Sequence, residues 1–188
     1  MLKTLESLGW VLFIVILVVM TLLSFLLGID HPLPWILLVL LVTTPFIHNK
    51  IMARKFLVWK DEYSVGIEAM DNDHKKLLNL INQLQTSVQY HTGREFEIST
   101  LEALVDYTKV HFANEEDLMQ QNDYPNFAEH KQQHEQMIEK VDILLQTYKT
   151  DPEAAVAEAL NFLKSWLIKH INGTDKDYGV YLNAKGIK

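Results

Sequence analysis

The sequence predicts an all-α protein: an up-down-up-down four-helix bundle preceded by an N-terminal transmembrane helical hairpin. Three observations carry this. Residues 1–55 hold two long apolar runs separated by a short break. Residues 56–188 hold four segments of helical periodicity, joined by short linkers that carry Gly, Pro, Asn and Asp. No stretch of useful length alternates apolar and polar residues with the period of a strand.

The first run, "LGWVLFIVILVVMTLLSFLL" from Leu8 to Leu27, has 20 residues without a charge. That is about the length a helix needs to cross a ~30 Å hydrocarbon core. The break "GIDHPLP" follows, and then "WILLVLLVTTPFI" from Trp35 to Ile47. The second run is short and contains Pro45. It reaches spanning length, 33–52, if Leu33 and the residues to Met52 contribute and Lys50 snorkels. Residues 1–55 are therefore expected to be a membrane anchor with helices at 8–27 and 33–52. Lys3 precedes the first run, Lys50, Arg54 and Lys55 follow the second, and the loop between has no Lys or Arg. The positive-inside rule then places both ends in the cytoplasm. Trp10 and Trp35 suit the membrane interfaces. A signal peptide is the alternative for the first run, although its n-region is nearly uncharged and no small-x-small cleavage site follows. A re-entrant or surface-lying segment is the alternative for the second.

The four bundle helices follow in order. The first runs from about Ala69 to Gln89 through Leu77, Leu78, Leu80, Ile81 and Leu84, and "YHTGREF" breaks it at Gly93. The second runs from about Glu95 to Gln121 through Leu101, Leu104, Val105 and Phe112, and "NDYPN" ends it. Asn126 is expected to cap the third, which runs to about Lys149 through Met137, Ile138, Val141 and Leu144. Asp151 and Pro152 suit the N-cap and first position of the fourth. That helix carries Leu160, Leu163, Trp166 and Leu167 and is expected to end near Asn172–Gly173.

Composition excludes several functions. The 188 residues include no cysteine, which rules out a disulfide framework, a cysteine zinc site and an iron–sulfur cluster. The net charge is −7, against nucleic acid as a partner. The sequence has no His-Glu-x-x-His of a zinc protease and no Glu three residues before a histidine, as ferritin-like sites require.

The polar residues on the predicted helices form a pattern. His74 lies early on the first helix, and His111 and Glu115 late on the second. His130 and His134 lie early on the third, and His170 late on the fourth with Asp175 beyond it. The pairs four apart share a helix face. In antiparallel neighbours all of these fall at one end of the bundle. If the faces point inward, five imidazoles and two carboxylates meet in one core layer, where they need partners. That donor set suits first-row metals, iron in particular. A single His pair is more often a solvated surface, and His31, His48 and His91 lack partners in the pattern and are expected to be non-ligands. The five-residue step from His170 to Asp175 would turn the two side chains about 140° apart on a regular helix. For both to reach one centre, the helix must end or bulge between them, and Gly173 permits a break.

From about Trp59 onward the chain resembles the hemerythrin family in its bacterial form. The matching stretches are "W..eYSVGI..MD.DH..L", "HF..EE..M....YP....H...H" and "WL..HI...D..Y". The resemblance implies two non-haem irons joined by a hydroxo or oxo bridge, with O2 as ligand. One iron would take His130, His134 and His170, the other His74 and His111, and Glu115 and Asp175 would bridge them. These ligands fill all but one position on two six-coordinate irons. The open one lies on the iron with two histidines, and O2 would bind there. The family's O2 pocket matches Trp166, Leu167 and Ile171, and Phe112 and Leu78 lie near His111 and His74. Ordinary core packing accounts for all five as well.

The expected function is reversible O2 binding without catalysis, for storage or delivery at the bacterial inner membrane, with the di-iron domain facing the cytoplasm. The expected partners are O2, the lipid bilayer and a membrane-bound O2-consuming enzyme, and a hairpin anchor is compatible with a homo-oligomer. Two alternatives stand. One is an O2 or redox sensor, which would have to signal through the hairpin or a partner, because "LNAKGIK" ends the chain without room for an output domain. The other is a di-iron oxidase, peroxidase or nitric oxide reductase, for which the sequence shows no flavin or second redox motif.

Overall fold

The computed structural model describes residues 2–90 and 92–188, with side chains from Leu8 onward. The reading of His91 and the side chain of Lys3 lie outside the described residues. The chain divides into two units, Met1–Lys55 and Phe56–Lys188.

The first unit is a helical hairpin. Helix α1 (Leu2–Ser24) ends in one tight turn, Phe25–Leu27, and packs against α2 (Pro32–Ala53). Two local devices start α2. The His31 ring accepts from the Leu33 N–H at 3.2 Å, and Pro32 takes the first helical position, where a missing N–H costs nothing. Trp35 donates to the Ile29 carbonyl at 2.8 Å, which ties the turn to the helix. His48 stacks on Trp10 at 4.4 Å, so His31 and His48 both have local roles. The helix continues through Pro45 and reaches 22 residues. Both helices are long and apolar enough to cross a membrane, and their outward side chains are exposed, Leu22 at 65% and Phe46 at 71%.

The second unit is the bundle. Helices α3 (Glu68–Tyr90), α4 (Arg94–Gln121), α5 (Phe127–Tyr148) and α6 (Pro152–His170) pack in sequence, and α6 closes the ring against α3. Each turns one apolar stripe inward at the i, i+3, i+4, i+7 spacing: Leu77, Ile81 and Leu84 of α3 meet Leu104, Val141 and Leu163. Burying each such side chain contributes roughly 1.5–3 kcal/mol. Asp151 caps α6 by accepting from the Ala154 N–H at 3.1 Å. Asn126 stands at the N-cap of α5, but its side chain makes no capping hydrogen bond there, which corrects the role expected for it.

The fourth helix also departs from expectation. It does not end near Asn172–Gly173. One π turn, Ile171–Asp175, carries it into α7 (Lys176–Ala184). A π turn closes i→i+5 and so brings residues five apart onto one face. This is the bulge that the His170–Asp175 step demands. Gly173 sits inside it without a positive φ and with open space where a Cβ would project, so the turn does not depend on a glycine there.

Helix α7 is docked by the segment that precedes α3. Asn183 donates to the Val65 carbonyl at 2.8 Å, and Lys176 donates to the Ser64 carbonyl. Asp71 in turn accepts from Ser64 Oγ at 2.5 Å and the Val65 N–H at 2.8 Å, which gives the "YSVGI" stretch its fixed course. The two backbones touch at Gly179, where a Cβ would lie 2.6 Å from the Val65 carbonyl oxygen. Gly179→Ala is expected to destabilise the bundle by about 1–3 kcal/mol, an overpacking cost against backbone that cannot turn aside. Urea titration of the two proteins measures it.

At the far end, Tyr148 closes α5 onto the start of α4, its hydroxyl donating to Glu97 Oε1 at 3.0 Å. Burial and the Glu97 charge push this phenol from 10.0 up to about 12. A group whose folded pKa is raised stabilises the fold below its unfolded value and loses that contribution as pH rises through the folded one. Stability should therefore fall between about pH 10 and pH 12, and Tyr148→Phe should flatten that part of a thermal-melt pH profile.

Candidate metal centre

The four helices deliver seven ionisable side chains to one buried layer. His74 comes from α3, His111 and Glu115 from α4, His130 and His134 from α5, and His170 from the end of α6; Asp175 closes the π turn. All are 5% exposed or less, and Glu115, Asp175 and His74 are fully buried.

Their atoms fall into two lobes. In one, the Nε2 atoms of His130 and His134 lie 3.0 Å apart, as do those of His134 and His170. In the other, the rings of His74 and His111 stand edge to face at 4.9 Å. Asp175 spans both: Oδ1 is 3.0 Å from His170 Nε2 and 3.4 Å from His130 Nε2, while Oδ2 is 3.3 Å from His74 Nε2. Glu115 turns Oε2 to His134 at 3.2 Å, His130 at 3.5 Å and His111 at 3.9 Å. Two sets of donor atoms could each surround one cation, Glu115 with His130, His134 and His170, and Glu115 with His74 and His111.

The donor atoms fit metals better than they fit one another. Both oxygens of Glu115 and of Asp175, and both nitrogens of His74, lack a hydrogen bond of acceptable geometry. Orphaned groups at this depth cost about 1–3 kcal/mol each unless something else satisfies them. A neutral imidazole has one donor and one acceptor, so the three facing Nε2 atoms cannot all be satisfied by each other. Around a metal with bonds of about 2.1 Å, neighbouring ligands at right angles lie about 3.0 Å apart. The two His–His spacings have that value.

The ionisable groups of the layer shift one another. Burial works to protonate Glu115, but the His111 charge and the close approach of His130 and His134 outweigh it and hold its carboxyl well below the usual range. Burial and the neighbouring Glu115 also push Asp175 up, but His170 and His74 outweigh them and bring it to about 2. Burial lowers His111 and His130, yet the nearby carboxylates, Asp73 and Glu115 for His111 and Glu115 and Asp175 for His130, leave both raised. His170 is lowered by burial. Metal ligation requires neutral imidazole and ionised carboxylate, so binding here would be coupled to proton release.

The outer nitrogens of three ligand-type histidines meet residues that sequence reasoning missed. His134 Nδ1 is 3.0 Å from Glu116 Oε1, whose other oxygen holds Lys131 at 3.1 Å. His170 Nδ1 is 2.9 Å from Thr174 Oγ1. His111 Nδ1 is 3.5 Å from Asp73 Oδ2. The His170–Thr174 step of four was a usable signal, because it places the hydroxyl one turn above the ring. Asp73 and Glu116, each adjacent to a stronger candidate, gave no separate signal.

Aromatic and aliphatic side chains wall the layer. Phe112 stacks on His134 at 3.6 Å and Trp166 on His170 at 4.1 Å. Phe112, Trp166 and Leu167 line a narrow apolar gap with Leu77, Thr108 and Met137, with room for about one water-sized molecule. Leu78 and Ile171 are buried but do not line that gap.

Fold and site together define a helical-bundle protein with a two-lobed, cation-binding histidine–carboxylate layer. Residues 65–182 match the family described as "Hemerythrin HHE cation binding domain". The chain belongs to the hemerythrin family. It is 34% identical over 131 residues to a bacteriohemerythrin of Stenotrophomonas maltophilia, covering 68% of this chain and 82% of the relative. It is 32% identical over 124 residues to a bacteriohemerythrin of Methylococcus capsulatus, covering 65% and 93%. A crystal structure of wild-type hemerythrin superposes with a TM-score of 0.58 at 33% identity, covering 65% of this chain and 95% of that one.

Proposed function

We propose that this protein binds O2 reversibly at a di-iron centre, as a carrier rather than an enzyme, and holds it for storage or delivery at a membrane. The observation that carries the reading is the buried layer of five histidines and two carboxylates, with Asp175 presenting one oxygen to each lobe. His130, His134 and His170 would hold one iron and His74 and His111 the other, with Glu115 and Asp175 shared between them. A di-iron pair supplies two electrons that can be lent to one O2 molecule and recovered.

The remaining work belongs to the chain. Glu116 accepts from His134 Nδ1, which fixes the tautomer that leaves Nε2 free for metal, and Thr174, whose hydroxyl donates to Gln133 Oε1 at 3.3 Å, can accept from His170 Nδ1 in the same way. Phe112 and Trp166 cover the outer side of the same two rings and exclude water. The gap beside Phe112 and Trp166 is lined by apolar side chains and Thr108, which keeps that wall of the layer dry. Reversibility requires such a dry wall. The apolar hairpin supports placement at a membrane, and the Lys and Arg residues that flank it favour a cytoplasmic bundle in a bacterial inner membrane; O2 partitions well into lipid, which suits delivery to an O2-consuming partner there.

Iron reconstitution tests the assignment. Two irons per chain are expected, and a content of one or none would reject it.

A further inference from the structure

The two lobes differ in how their outer carboxylates are held. In the three-histidine lobe, Glu116 sits at hydrogen-bond distance from His134 Nδ1, 3.0 Å, and its second oxygen faces the half-buried Lys131 at 3.1 Å. In the two-histidine lobe the corresponding carboxylate, Asp73, stands back at 3.5 Å from His111 Nδ1, which makes no hydrogen bond of acceptable geometry. Asp73 is held from its other oxygen, Oδ1, which accepts from the Tyr107 hydroxyl at 2.5 Å.

We infer that Tyr107 is a positioning residue that restrains Asp73 and so weakens its hold on His111, setting the electron density of the lobe that has only two histidines. The inference rests on the di-iron reading above. Its chemistry is general. A carboxylate that accepts from a ligating imidazole makes the ring a stronger electron donor and favours the more oxidised metal. A short hydrogen bond from a phenol draws charge from that carboxylate and pulls it away from the ring. Tyr107 is itself pinned, since Lys76 Nζ lies 3.8 Å above its ring centre, and burial together with Asp73 keeps its phenol protonated far above the ordinary range. Tyr107 and Asp73 thus act in opposite directions on the same nitrogen.

The test uses the full chain in detergent with Tyr107→Phe and Asp73→Asn, which leave the seven metal-facing side chains in place. In the metal-free protein, NMR of ¹⁵N-labelled histidines reads the His111 Nδ1 proton. It should move downfield in Tyr107→Phe as Asp73 closes on the ring, and upfield in Asp73→Asn. In the iron-loaded protein, the midpoint potential should fall in Tyr107→Phe and rise in Asp73→Asn. A ring-fluorinated tyrosine at position 107, a stronger donor, should raise it and serves if Tyr107→Phe fails to fold. Shifts of the same sign for Tyr107→Phe and Asp73→Asn would show that Tyr107 only holds Asp73 in place, and no shift in Tyr107→Phe would show no coupling; either overturns the inference. Failure of the wild-type chain to bind iron would reject the di-iron reading instead, and the metal-free NMR comparison would still decide the role of Tyr107.

Discussion

Asp175→Ala should leave the protein unable to hold a pair of irons. Among the described residues, Asp175 is the one side chain that gives a separate oxygen to each lobe, Oδ1 to His170 and His130 and Oδ2 to His74. Losing an outer hydrogen-bond partner of a metal ligand costs about 10–100-fold in affinity. Losing a carboxylate shared by two metals should cost more than about a hundredfold for the pair, since it also removes a negative charge that offsets two cations in a buried site. The expected iron content falls from two per chain to one or none. The bundle should still form, because its stripe of Leu84, Leu101, Leu104 and Leu144 lies outside the metal layer. Colorimetric iron analysis beside far-UV circular dichroism separates the two effects. Full iron occupancy in a folded Asp175→Ala protein would contradict the assignment of Asp175 as a shared ligand.

The second large effect concerns the hairpin. Helices α1 and α2 expose Val11, Leu12, Phe13, Val39 and Phe46 on their outer faces. An apolar surface of this extent is an aggregation liability in water and is stable in lipid. The full chain should pellet with membranes and be released by detergent, not by high salt. A chain starting at Phe56 should remain in the soluble fraction and keep two irons, because the family match lies wholly within residues 65–182. Fractionation followed by iron analysis checks both halves. A full-length protein that stays in the supernatant without detergent would contradict the membrane anchor.

The legible and illegible parts of this chain differ for physical reasons. The bundle helices were legible because each buries one stripe for five or more turns, and long periodic segments carry the strongest signal. The seven residues of the histidine–carboxylate layer could be grouped because spacings of four fix a shared face and short linkers fix antiparallel order. The His170–Asp175 step was legible as an anomaly, but its resolution was not. Gly173 looks like a terminator in sequence, whereas the π turn keeps a helical backbone through it and the chain runs on to Ala184. Asn126 illustrates the limit of a local rule, since a residue of capping type occupies the N-cap without its side chain bonding there. Asp73, Glu116 and Tyr107 were invisible because their partners come from other helices: Tyr107 reaches Asp73 across 34 residues, and Glu116 reaches His134 across 18.

Reversible O2 binding is tested most directly by the optical spectrum of purified, iron-reconstituted protein cycled between air and argon. The account predicts a ligand-to-metal charge-transfer band that appears in air, disappears under argon and returns on re-aeration over repeated cycles. An irreversible ferric spectrum after the first exposure to air would contradict it, and the centre would then be that of a redox enzyme or sensor.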